Sequence, residues 1–201
     1  MNPPPALIAL SPGGLTESEL PSFREAVRAA TEAGLPGLLL RETLLSDAAL
    51  FALARDVSAP WLAIHDRVHV ARAVSAQAVH LGFRSLGTRE ARRAGSESLS
   101  IGLSTHAADE SSEWEGADYL FHGPVRDTPS KRGLQDPIGW SGFREAVEPV
   151  TVPVLAIGGL EPTDAPQARA AGASGMAVLR GILGAEDPGR EASRYLEAWG
   201  E

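Results

Sequence analysis

The chain contains no cysteine. That absence removes disulfides, thiolate metal centres, iron–sulfur clusters and a cysteine nucleophile together. A basic patch is also missing. The 18 lysines and arginines are outweighed by 26 acidic residues, for a net charge of −8, and no block of like charge stands out. A nucleic-acid partner is therefore not expected, although an acidic whole leaves room for a local cationic pocket that takes an anion. Long apolar runs are absent too. The opening MNPPPALIALSPGG has no basic region and only a short apolar stretch, unlike a signal peptide or a membrane span. The expectation is a cytoplasmic protein with no membrane partner.

What is present points to one domain. A length of 201 residues with 43% hydrophobic content suits a single unit with a sizeable core. Short apolar runs at 6–11, 35–42, 61–66, 78–82, 99–105, 117–125, 152–159 and 175–181 read as strands. They are apolar on both alternations, as in a parallel sheet buried on both faces. Amphipathic segments at 16–34, 46–57, 88–95, 138–150, 163–172 and 187–200 read as helices. Several begin with Ser, Thr or Asp and are followed by Gly. Strands alternating with helices predict a single α/β domain over 1–201, a (β/α)8 TIM barrel. An open doubly wound sheet is the rival. In both, ligands bind at the carboxyl ends of the strands.

Those ends carry polar groups: Arg41-Glu42, His65-Asp66-Arg67, Ser104-Thr105-His106, His122, Gly158-Gly159 and Arg180-Gly181. The Gly158-Gly159 pair, with Leu179–Gly181 after the eighth strand, suits either a tight turn or a phosphate site built from backbone N–H groups. Arg41 either clamps an anion or pairs internally with a carboxylate such as Asp66. Thr128, Ser130 and Lys131 follow the sixth strand in a loop suited to covering a phosphate. The five histidines lack dense ligand spacing, so no zinc site is expected. His80 reads as an interior residue. His122 reads as the candidate acid/base, because a pKa near 6.5 suits proton transfer if its side of the strand faces the barrel.

The stretches LLLRE, IHDRVHVARAVSAQAVHLG, IGLSTH, GADYLFHGPVRDTPSKRG, VPVLAIGGLEP and AGASGMAVLRGI resemble the thiamine phosphate synthase and thiazole tautomerase superfamily. The resemblance implies a (β/α)8 barrel with a thiazole phosphate site at the glycines after strand seven and the segment after strand eight. Departures favour one branch. The synthase pattern Gln-Leu-Arg-Glu-Lys has Leu39 and Thr43 at its first and last positions here. Its Asn-Asp pair is His65-Asp66, and its metal-binding Asp falls at Ser85. These changes imply a metal-independent tautomerase-like isomerase with His122 as acid/base, although the branch's own histidine position is Pro124. The alternatives are the Mg²⁺-dependent synthase, which joins a pyrimidine pyrophosphate to thiazole phosphate, and a non-catalytic binder of thiazole or thiamine phosphate. No cofactor is expected unless the synthase reading holds, in which case Asp66 is the residual metal ligand. The expected partner is a small phosphorylated ligand, and the sequence is compatible with a homo-oligomer.

Overall fold

The computed structural model describes residues 3–95, 99–106, 114–129 and 135–200. Eight parallel strands are present: β1 (Leu7–Leu10), β2 (Gly37–Leu40), β3 (Trp61–His65), β4 (Ala78–Leu81), β5 (Ser100–Thr105), β6 (Tyr119–His122), β7 (Val154–Ile157) and β8 (Gly175–Val178). They pair in chain order, and β8 returns to β1 to close the barrel. The open-sheet alternative is thereby removed. Among the described residues the covering helices are α1 (Leu20–Glu32), α2 (Asp47–Asp56), α3 (Val68–Ala73), α4 (Thr88–Ala94), α5 (Gly139–Val147), α6 (Ala165–Ala170) and α7 (Pro188–Trp199). The strands are shorter than the apolar runs, which extend past them into one or both flanking loops.

Alternation sorts the strand residues into two dry layers. Ile8, Leu10, Leu39, Trp61, Ala63, Ala78, Tyr119, Phe121, Leu155 and Ala177 fill the barrel. Their neighbours face the helices. Leu38, Leu40, Ile64, Val79 and Ile101 meet Val27, Leu50 and Leu53. Leu120, Val154, Ala156 and Met176 meet Phe143, Ala168 and Ala192. Local signals fix where the helices begin. Ser46 accepts from the Ala49 N–H at 3.2 Å to cap α2, and Asp187 accepts from the Arg190 N–H at 3.0 Å to cap α7. After β8 comes a turn over 181–184, not a helix, and α7 starts only at Pro188.

One buried carboxylate organises an edge of the barrel mouth. Glu42, just past β2, is 3% exposed. Its Oε1 accepts from the Gly13 N–H at 2.9 Å and its Oε2 from the Leu15 N–H at 2.7 Å. The β1–α1 loop is thus held by a charge-assisted pair of bonds. Glu42→Ala should leave these N–H groups without an acceptor and destabilise the fold by roughly 2–5 kcal/mol, with Glu42→Gln losing less. Urea unfolding with an unchanged m-value checks this.

Candidate functional site at the barrel mouth

Inward alternation on β2 and β3 brings Arg41 and His65 to the mouth, while β4 and β5 place His80 and Ser104 beside them. Arg41 is half-buried. Its guanidinium lies against Gly13, whose φ of 95° belongs to glycine and where any side chain would collide with Arg41. No carboxylate pairs with Arg41 among the described residues. Arg67 is the cation engaged internally: it pairs with Asp47 at 3.2 Å and donates to the Glu42 carbonyl at 3.3 Å. Arg41 is therefore the inward cation available to an anion.

The histidines divide sharply. Burial, and then the positive charge of Arg41, lowers the His65 pKa, with Asp66 opposing. His80 is buried inside the barrel, and burial pushes it down to about 3, so it is neutral at ordinary pH. Its Nδ1 meets the Tyr119 hydroxyl at 3.2 Å and its Nε2 meets the Ser104 hydroxyl at 2.9 Å. Gly102, between β4 and β6, makes this contact possible, because a Cβ there would overlap both the Tyr119 ring and His80.

His122 does not face the barrel. Phe121 takes the inward position, and His122 shares the outward face with Leu120. Its Nδ1 hydrogen-bonds the Thr105 hydroxyl at 2.8 Å, and its ring lies 6.0 Å from Phe143 of α5. The condition attached to its acid/base role, an inward side chain, is not met. The adjacent aromatic and histidine on β6 left the phase of that strand ambiguous in the sequence.

Gly158 and Gly159 have φ values of 103° and 63°. Cβ atoms there would strike Pro124 and the Asp127 carbonyl respectively. The pair thus lets the β6–α5 loop lie on the β7 turn. The Arg126 N–H donates to the Gly158 carbonyl at 3.0 Å. The Arg126 side chain also pairs with the buried Asp164, its Nε donating at 2.7 Å. Sequence reading missed this clamp, since its partners lie 38 residues apart. Thr128 lies on the clamped loop. Ser130 and Lys131 lie outside the described residues. Leu179 is half-buried at the mouth, Arg180 is exposed, and Gly181 packs against the Tyr195 hydroxyl. Since a turn follows β8, a helix dipole gives no help there and only the backbone donors remain. A cleft of about 610 Å³ reaches the mouth at Pro12, Leu179 and Arg180 and runs outward along α1.

The positions corresponding to the implied metal site do not fit a divalent ion well. Asp66 is exposed, with a left-handed φ of 65°. The Ser85 hydroxyl already accepts from the Gly82 N–H at 2.8 Å. Mg²⁺ is usually held by one or two carboxylates with substrate oxygens, and here a single exposed carboxylate remains.

A profile of the family described as "Thiamine monophosphate synthase" matches residues 14–182. The chain belongs to that family. It is 39% identical over 191 residues to a thiamine-phosphate synthase of Gloeobacter violaceus, covering 91% of this chain and 56% of the relative. It is 42% identical over 137 residues to one of Salinispora arenicola, covering 67% and 66% respectively. The chain thus spans between half and two thirds of the length of these relatives. Thiamine phosphate pyrophosphorylase from Pyrococcus furiosus superposes with a TM-score of 0.82 at 29% identity, covering 96% of this chain and 94% of that one. Both of these relatives carry the synthase name, so the tautomerase expectation gains no support from them.

The geometry makes two forecasts. An unfolded histidine titrates near 6.5, so as pH falls from there toward 3 the unfolded chain takes up a proton that folded His80 refuses. The stability contributed by His80 is present above pH 6.5 and is lost at up to about 1.4 kcal/mol per pH unit below it. Urea midpoints between pH 5 and 6.5 should slope less steeply in His80→Gln. His122→Gln should lower stability by about 1–3 kcal/mol through its buried bond to Thr105, read as a lower urea midpoint.

Proposed function

We propose that the chain binds phosphorylated thiazole and pyrimidine ligands at the barrel mouth and joins them to form thiamine monophosphate. The outward orientation of His122 carries this reading, together with the family membership. Joining the two rings requires a thiazole nitrogen to form a C–N bond with the pyrimidine's exocyclic carbon. The C–O bond to pyrophosphate breaks, and its electron pair leaves with the pyrophosphate. The thiazole nitrogen carries no proton, so that step needs no base on β6. A tautomerisation does need a group that moves protons, and the proton-bearing side chain that β6 turns to the barrel interior, Tyr119, is fully buried, holds its proton and is bonded to His80.

In this reading Arg41 meets the anion that leaves or the phosphate that stays, and Ser104 contacts a ring. The thiazole phosphate rests near Gly159, Arg180 and Gly181, whose N–H groups donate to no protein acceptor among the described residues, with Thr128 on the loop above.

The test is direct. Purified protein given hydroxymethylpyrimidine pyrophosphate and thiazole phosphate should form thiamine monophosphate, assayed with Mg²⁺ and with a chelator. Arg41→Ala should lower kcat/KM by roughly 10–100-fold, the worth of one charge-assisted contact. A protein that binds thiazole phosphate yet forms no product under either condition would overturn the proposal in favour of a binding role. Ser85→Asp should tighten Mg²⁺ binding, read by calorimetry, if positions 66 and 85 converge on one ion.

A further inference from the structure

The buried contact between Tyr119, His80 and Ser104 has a direction. Tyr119 is fully buried, and burial raises its pKa well above the ordinary phenol value, so the hydroxyl keeps its proton. Among the described residues the only hydrogen-bond partner of that hydroxyl is His80 Nδ1, at 3.2 Å. A buried O–H needs an acceptor. Nδ1 supplies one only when it carries no proton, and a neutral imidazole then carries its proton on Nε2. Nε2–H in turn donates to the Ser104 oxygen 2.9 Å away. Ser104 is only partly buried and has no other hydrogen-bond partner among the described residues. Its own proton is therefore left to point at whatever fills the mouth.

We infer that Tyr119, acting through His80, fixes Ser104 as a hydrogen-bond donor at the mouth, so that this position favours a ligand atom with a free lone pair over an N–H group that can only donate. Tyr119 and His80 are positioning residues, and Ser104 is the specificity residue. The ligand class is a heteroaromatic ring nitrogen or a comparable acceptor. The selection step rests on the proposed ligand site, whereas the polarity of the chain does not.

Nitrogen-15 NMR of the ligand-free, histidine-labelled protein tests the polarity. His80 should carry its proton on Nε2 and leave Nδ1 bare. In Tyr119→Phe the imidazole should lose that single tautomer. A wild-type His80 protonated on Nδ1 overturns the inference, whatever the variant does. Calorimetric titration with thiamine monophosphate tests the selection. Ser104→Ala should weaken binding about 3–10-fold, the usual worth of one hydrogen bond, and Tyr119→Phe should weaken it with Ser104 intact. Unchanged affinity in Ser104→Ala overturns the selection. Wild-type protein that binds no thiamine monophosphate counts against the proposed function, and the tautomer measurement then upholds or overturns the polarity independently.

Discussion

A strand of this barrel is buried on both sides, and each residue must commit to one of two dry layers. The rest of the architecture depends on that alternation. It places Tyr119 and Phe121 in the barrel and Leu120 and His122 against the helices. It also limits where polar groups can stand. In the inward layer they either reach the mouth, as Arg41 and Ser104 do, or they find a bonded partner below it, as His80 does. A buried imidazole with both nitrogens engaged is compatible with a close-packed interior, whereas an unbonded one would cost several kcal/mol.

The charged groups near the mouth divide by the same logic. Glu42 gives both oxygens to backbone N–H groups of the β1–α1 loop. Arg126 and Asp164 tie the β6 and β7 loops together. Arg67 is held by Asp47 and the Glu42 carbonyl. These residues shape the rim by holding backbone in place. Arg41 stands apart, because its guanidinium rests on a glycine and no described carboxylate neutralises it. A site for an anion needs such a group, since a cation already paired offers little to a ligand.

In the proposed reading the mouth recognises and orients its ligands more than it moves protons. His80 is neutral and locked between two hydroxyls, His65 is biased toward neutrality by burial and Arg41, and His122 lies outside the barrel. A bond-joining reaction with a good anionic leaving group asks for positioning and charge complementarity. At Ser85, where the resemblance implies a second carboxylate, the side chain is a hydroxyl bonded to the local backbone.

The sequence by itself determined the eight strands, most of the helices and the end of the barrel at which polar residues collect. Periodicity and caps are local, and each apolar run carries its own signal. Gly158 and Gly159 were also legible, because a positive φ leaves glycine as the natural choice. The facing of His122 was not legible. In YLFH both alternations are acceptable inside a protein, and only the partners of Phe121 and His122 on neighbouring strands fix the phase. The Tyr119–His80 contact joins residues 39 apart, and the Arg126–Asp164 clamp joins residues 38 apart. Such pairings exist only once the barrel has closed and the register has set which side chains meet, so the tertiary structure alone decided them.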